Sequence, residues 1–560
     1  MAHILAFLII CLSFSHALAT DYFVSTTGND SADGLSEGNA WLTLARAVTF
    51  DGPAGCGDTI NMVAGSYAGL VTITGWNCTK ENPITLKGPR TAIIDGTLTG
   101  SGQQIRITAS SGGIVLDGFT IRDHTGAGVF VGTNGFETGA CRVNSVVIKN
   151  LAIHDQIDAV GVDGHGIWLD GSENQTKFGQ ICDIEITDNE LTNLVTGEAG
   201  AYDEALTLSR AIDGFTITGN ILDNVSMIGI DVIGRLNEGI PTNGLIANNV
   251  VKNSGTASEH TALYVDGATN VTMEDNVCLD NIGVCIVASA EQAGIQTRGV
   301  IIRRNISVDQ NGRAIIVGGT AITAPATLDT CVAHNVSVLE TNLAQFRTLY
   351  SRLSGEGALL NNMALVAPSV TTDFADIRNI ETKDGPFTWR SDGNLFSREA
   401  DVFWEEAETT TFFATLALWR SGTGQDANSL VGTPIFETSP FPFVEGVSSY
   451  ELAAGSPGID DGVSLATVSA INGNILTLSD ESCFSPGHGR VTGDTVQIGL
   501  DQGNIATVVA RNSASNTITL DRTVMVELGN TVNYPFNGLA PDIGRTLVIR
   551  PPSSGCARSG

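Results

Sequence analysis

The sequence repeats at a period near thirty residues. Short β-branched runs lead into Asn or Gly: IVLDGFTI at Ile114, VVIKNLAI at Val146, IEITDNEL at Ile184, FTITGNIL at Phe215 and LIANNVV at Leu245. VTMEDNVC at Val271, VIIRRNIS at Val300, CVAHNVS at Cys331 and LLNNMAL at Leu359 continue the series. With Gly118, Asn150, Asn189, Asn220, Asn249, Asn276, Asn305, Asn335 and Asn362 as markers, neighbours stand 27 to 39 residues apart. Between markers a second short apolar strand recurs, as in GIWLDG, ALTLS, GIDVIG and ALYVDG. Two or three strands per period with Asn, Asp and Gly turns specify a solenoid. Helical solenoids need amphipathic stretches of about ten or more residues, which are absent. Each period therefore reads as one coil of a parallel β-helix, with coils stacking ~4.8 Å apart. A propeller would need ~40–50 residues per blade in a hairpin rhythm. Asn recurring at one corner is expected to take left-handed turn conformations and to bond its equivalent one coil away, a structural ladder rather than a catalytic one.

The repeat replaces the three or four domains that 560 residues would otherwise imply at ~150 residues each. A 42% hydrophobic content is that of a folded chain, and 16% charged residues suits corners built from Asn, Thr and Gly. The 29 basic and 60 acidic residues give a net charge of −31, with no Lys/Arg run to concentrate positive charge. Nucleic acid is thereby excluded as a partner. The N-terminus has an apolar run over residues 4–14 followed by Ala17-Leu18-Ala19, the pattern of a cleaved signal peptide. About eleven apolar residues cannot cross a ~30 Å hydrocarbon core. A secreted or periplasmic monomer without a transmembrane segment is expected, its mature chain starting near Thr20. Of 10 Cys, Cys11 falls in the leader; Cys56 with Cys78, Cys141 with Cys182 and Cys278 with Cys285 form local candidate disulfides. No CxxC occurs, so zinc is not expected.

Several blocks carry a family resemblance. YFVSTTGNDSADGLSEGNAWLTLARAV from Tyr22 and GDTINMVAGSY from Gly57 resemble the opening of secreted right-handed parallel β-helix proteins of the pectate-lyase-like superfamily. SDGNLF at Ser391, LALWRSGTGQDANSLVGTPIF at Leu416, YELAAGSPGIDDG at Tyr450 and APDIG at Ala540 resemble their closing part. The resemblance implies an N-terminal segment covering the open end of the helix. It does not fix a reaction, because this architecture hosts lyases, hydrolases, epimerases and adhesins. The expected organisation is a signal peptide (1–19), cap and first coils (20–100), central coils (101–370) and a poorly periodic, aromatic-rich closing segment (371–462) packed on the side or end of the helix. Period-two strands over 463–540 read as a small antiparallel β insertion, followed by a tail (541–560).

A solenoid has no cleft until loops build one, so chemistry is sought among outward side chains on successive coils. Aligning the second strands gives one column of Trp168, Thr207, Asp231, Tyr264, Cys285 and Ile316 and another of Asp170, Ser209, Ile233, Asp266, Val287 and Gly318. The columns share the outer face if Ile167 and Leu169 point inward. Nearby loops add Asp163, His165, Asp203, Glu204, Arg210, Arg235, Glu259 and His260. Acids, bases and two aromatics within four coils suit an extracellular polysaccharide, with Trp168, Tyr264 and His260 as sugar-binding groups.

Two reactions fit. In β-elimination of an acidic glycan, Glu204, Asp231 and Asp266 supply oxygen ligands to calcium, which needs six to eight. His165, Asp170, Arg210 and Arg235 then serve as base or substrate clamp; related lyases of this fold use acidic strand residues for calcium with a basic residue nearby. No family-level lyase signature accompanies them, and Lys252 is expected on a different face. In glycosidic hydrolysis, Asp231 and Asp266 on adjacent coils, offset by two residues, stand roughly 8 Å apart, in the inverting range. DGHG at Asp163 resembles the GHG element of polygalacturonase-like hydrolases, but the paired-Asp and Asn-Thr-Asp elements are not found before it. A second GHG at Gly487 lies in the insertion. Non-catalytic glycan binding is the third reading.

Overall fold

A computed structural model describes residues 19–544, apart from 100–101, 109, 133–138, 157–163, 172–178, 195–203, 256–259, 293, 311–312, 319–326, 342–345, 353–356, 372–376, 384–388, 399–400, 407–408 and 446–447. Most of the apolar leader, together with Asp163, Asp203 and Glu259, lies outside the described residues.

The chain winds into a parallel β-helix of three long sheets. The first runs from Asp21–Val24 through Ser111–Asp117 and Thr269–Glu274 to Arg390–Asp392. The second runs from Gly65–Ala68 to Leu430–Val431, and the third from Val71–Ile73 to Thr409–Phe413. Within these sheets every pairing is parallel except the last, Asp401–Glu406 with Thr409–Phe413. Alternation in each strand sends one set of side chains inward; Ile148, Ile186, Ile217 and Ile246 of the first sheet are wholly buried in the shared core. β-Branched residues fit such a pleated, close-packed interior.

Asn residues join the coils at the corner between the first and second sheets. In Asn276 the amide nitrogen donates to Asn305 Oδ1 at 3.0 Å and to the Ile246 carbonyl at 2.9 Å. Its Oδ1 accepts from the Asn249 amide and backbone N–H, both at 3.0 Å. The same pattern links Asn189, Asn220, Asn249, Asn305, Asn335, Asn362 and Asn394. Two details differ from the sequence reading. The ladder Asn does not adopt the left-handed backbone; the residue before it does, as in Asp188, Asn248, Asp275 and Asn361. Asn150 and Gly118 belong to that preceding column, with φ of 56° and 91°, so Leu151 and Phe119 occupy their ladder positions inside the core. Asn serves either position, which is why spacing alone merged the two.

The aromatic-rich segment also departs from expectation. Ile377–Lys383 and Asp401–Glu406 continue the third sheet, and Arg390–Asp392 and Leu395–Phe396 the first and second. Trp389 is a core residue of these last coils, and a helix, Leu416–Thr423, brings Trp419 into the core. The ladder passes through Asn394 to Asp426.

Six antiparallel strands between Ala466 and Asn533 form a closed barrel. The chain leaves the solenoid near Gly462 and returns to its flank at Pro541, whose carbonyl accepts the Gly462 N–H at 2.7 Å. Cys56–Cys78, Cys141–Cys182 and Cys278–Cys285 are bonded as expected, and Cys331–Cys483 ties the barrel to the first sheet.

Replacing Asn276 with Ala leaves a buried carbonyl and N–H unsatisfied on neighbouring coils, each worth ~1–3 kcal/mol. Asn276→Ala is expected to lower unfolding free energy by roughly 2–4 kcal/mol in urea titration. Asn150→Gly, at an exposed left-handed position, is expected to change it little.

Candidate functional site

Five neighbouring strands of the third sheet position the polar stripe: β1 (His165–Asp170), β2 (Glu204–Ser209), β3 (Ile228–Ile233), β4 (Thr261–Asp266) and β5 (Val284–Ser289). Ile167, Leu169, Leu206, Leu208, Ile230, Val232, Leu263 and Val265 point into the core and are wholly buried. Their outward neighbours register as Trp168–Thr207–Asp231–Tyr264–Val287 and Asp170–Ser209–Ile233–Asp266–Ser289. The columns hold through the fourth coil and slip by two at the fifth, where Val287 and Ser289 stand in place of the expected Cys285 and Val287; Ile316 of the next coil is back in the first column. Cys285 instead joins the small residues Ala205 and Ala262 in the core and bonds Cys278.

The outward face is covered rather than open. Asp231 and Asp266 are each 2% exposed and Tyr264 8%, while Trp168 is half-buried. Asp231 and Tyr264 lie opposite one another, and Asp266 lies opposite Ile233, two residues farther along. Glu291, on the turn after β5, binds the group twice: its N–H donates to Asp266 Oδ1 at 2.8 Å and its carboxylate accepts the Tyr264 hydroxyl at 2.7 Å. Glu291 carries no signal in the sequence, because it lies in no strand and at no repeat position. Asp231 Oδ1 is buried without a hydrogen-bond partner among the described residues.

Burial raises both aspartates, and charge adds to it. Asp231 is pushed well above the ordinary carboxylate range by burial, then by Glu204, Asp266 and Glu291, with Arg235 opposing. Burial raises Asp266 to about 7; the Glu291 N–H and Arg235 pull it down, while Glu291 and Glu204 push it up. Burial and the charges of Asp266 and Glu291 also raise Tyr264, which excludes it as a base at neutral pH. The two carboxyls differ in their hydrogen bonding: Asp266 accepts a main-chain N–H that favours its charged form, whereas Asp231 Oδ1 has no partner among the described residues, the kind of difference that assigns acid and base roles to chemically identical groups.

The other candidates fall into separate groups. Arg210 is held by Asp170 through Nη1 and by Glu238 through Nε, each at 2.5 Å. Burial works against its charge, but these two carboxylates outweigh it, so Arg210 stays a cation and cannot be a base. Asp170 is three strands from Asp266 and occupied by this pair. His165 is buried, with Nδ1 3.1 Å from the Glu204 carbonyl and 3.2 Å from Thr207 Oγ1, and its ring stacks on Trp168 at 5.0 Å. Thr207 donates to the Glu204 carboxylate. His260 precedes β4, with Nδ1 3.0 Å from the Ser226 carbonyl, at the opposite end of the strand from Asp266. Lys252 lies on the second sheet beside Asp223 and Glu445.

Calcium is not matched by this donor set. Among the described residues no group of three or more His, Cys, Asp or Glu side chains could hold a metal ion. Glu204 and Asp266 raise Asp231, and Glu204 raises Asp266, but the three do not form a cage.

No family model matches the chain. It is 26% identical over 458 residues, 74% of its length, to the uncharacterized protein YwoF of Bacillus subtilis (strain 168), covering 88% of that protein. Among solved structures it is similar to XylC in complex with xylose (TM-score 0.43, 11% identity, 93% of this chain and 99% of that one). It is also similar to pectate lyase Pel9A (TM-score 0.40, 13% identity, 81% of this chain and 94% of that one). No helix among the described residues is long and apolar enough to cross a membrane.

The raised Asp266 has a stability signature. Below the unfolded carboxyl value of ~4 both states are protonated; as pH rises toward about 7, unfolding releases a proton that the folded protein retains, so stability falls. At ~1.4 kcal/mol per unit this amounts to about 4 kcal/mol. Asp266→Asn is expected to flatten the decline of melting temperature between pH 4 and 8, measured by calorimetry.

Proposed function

We propose that the protein is a glycan-active enzyme that hydrolyses glycosidic bonds on the third sheet, using Asp231 and Asp266. The supporting observation is the pair of buried carboxyls on adjacent strands, one with an oxygen free of any described hydrogen-bond partner. Asp231, raised by burial and without a donor at Oδ1 among the described residues, keeps its proton and gives it to the departing glycosidic oxygen. Asp266, with the Glu291 N–H and Arg235 favouring its charged form, takes a proton from the water that attacks the anomeric carbon. One C–O bond breaks, one forms, and the proton count closes through the two carboxyls. Strand spacing and the two-residue offset give roughly 8 Å between them, which suits inversion. Trp168, half-buried and two strands from Asp231 on the same outward row, offers aromatic surface to a sugar ring.

β-Elimination is less well supported. One of its candidate bases, Arg210, is clamped by two carboxylates, and the proposed calcium ligands do not converge among the described residues. The clustered acids and the net charge of −31 favour a neutral glycan over a polyuronide. An exported location is supported by the N-terminal apolar run and by four disulfides, which persist in oxidising compartments.

Incubation with neutral plant and bacterial polysaccharides is expected to release reducing ends without the absorbance of an unsaturated sugar. Asp231→Asn and Asp266→Asn should each lower that rate roughly 10²–10⁴-fold. The activity should rise through about pH 7 as Asp266 loses its proton. An unsaturated product would establish elimination instead, and glycan retention without product would establish a binding protein.

A further inference from the structure

The barrel encloses space where it meets the solenoid. It packs on the outer side of the first sheet, where Cys331, Ala333, Ala358 and Leu360 share a core with Val496, Val508 and Val532. Beside this contact lies a cavity of about 1070 Å³, lined by residues from both units. The acid cluster belongs to the third sheet, so the cavity is a different place. Its walls are fixed: Arg303 donates to both oxygens of Asp494 at 2.7 Å and to Glu274 at 2.7 Å, with its guanidinium 4.8 Å from the Tyr534 ring. The Cys331–Cys483 disulfide locks the same junction.

The unusual feature of the lining is its backbone. The left-handed column beside the Asn ladder reads Gly118, Asn150, Asp188, Gly219, Asn248, Asp275, Arg304, His334, Asn361 and Gly393. Only Arg304 and His334 break the Gly, Asn and Asp rule, and both line the cavity. A third exception faces them from the barrel: His488, φ 46°, sits between Gly487 and Gly489, which are also left-handed at 73°. A bulky non-Gly residue in this region costs of order 1–3 kcal/mol, and such positions cluster at ligand clamps. Long side chains at three such positions, converging on one cavity, are a local rule broken where function is expected to require it.

The chemistry of the lining selects the ligand. Arg303 and Arg304 are both committed to carboxylates, Arg304 to Glu274 at 2.7 Å and Asp275 at 2.6 Å. Glu451 and Asp542 add negative charge, which disfavours an anion. Burial and the Arg511 charge hold the His488 imidazole down at about 4, so at neutral pH it offers one donor and one acceptor to hydroxyl groups. Phe536 and Tyr534 supply aromatic surface. We propose that the cavity between the barrel and the first sheet is a second binding site, for a segment of neutral oligosaccharide. The choice of a glycan among hydroxyl-rich ligands rests on the reading of the third-sheet site; the cavity itself does not.

The test uses the full chain carrying Asp231→Asn to prevent turnover, titrated calorimetrically with cellohexaose, xylohexaose, mannohexaose and, as the anionic control, oligogalacturonate. At least one neutral series is expected to bind, and oligogalacturonate is not expected to compete. His334→Asn and His488→Gly install residues suited to left-handed backbone, so melting temperature should hold or rise while affinity falls at least tenfold. Unchanged affinity in both variants, no binding by any neutral series, or a lowered melting temperature with binding intact would overturn the proposal. Failure of the hydrolase reading would appear separately, as absence of products from the unsubstituted protein.

Discussion

Each coil completes the hydrogen bonding of the next. Backbone groups that would be orphaned at the corner between the first and second sheets are met by an Asn side chain, whose two donors and carbonyl oxygen fit the 4.8 Å coil repeat. A buried polar column is tolerable because every member from Asn189 to Asn394 is paired, and a gap would leave two coils unsatisfied. The apolar interior follows from this constraint: with corner turns fixed, alternate residues of every strand must face the same core. Straight sheets in turn hold outward side chains in fixed rows, which is what allows distant segments to assemble Asp231, Tyr264 and Asp266.

The site inherits its acidity from the same regularity. Parallel, in-register strands place like charges on adjacent coils and bury them, so two aspartates rise far above their solution values. A loop-built site could relax by moving a side chain away; rows locked by a stacked backbone cannot. Glu291 intensifies the effect, since it anchors Asp266 with its main chain while adding a further negative charge.

Much of this was readable from residue spacing, and its failures have physical causes. The parallel coils, the polar columns and three local disulfides follow from recurrent Asn, alternating strands and nearby Cys. The ladder was misplaced at Asn150 because Asn suits two adjacent corner positions. The last coils are not legible although Asn394 stands 32 residues after Asn362, since the intervening strands lack the aliphatic alternation of the earlier ones. Cys285 falls inside rather than on the outer face because the GVCIVA run pairs two residues out of its apparent alignment with ALYVDG. Glu291 and Glu238 lie in turns and carry no periodic signal, and Cys331 pairs across 152 residues, beyond any local pattern.

The barrel is attached by three separate connections: the chain entering near Gly462, the chain returning at Pro541 and the Cys331–Cys483 bond. An insertion held this way cannot be shed by a single proteolytic cut. It also cannot hinge widely, because entry and exit are hydrogen-bonded side by side. Its history during synthesis is constrained too. Cys331 is made before the barrel and Cys483 within it, so the disulfide can close only after the coils beneath have been synthesised. The solenoid is thus the template on which the barrel is fastened, and of the four disulfides this is the last whose two cysteines are both synthesised.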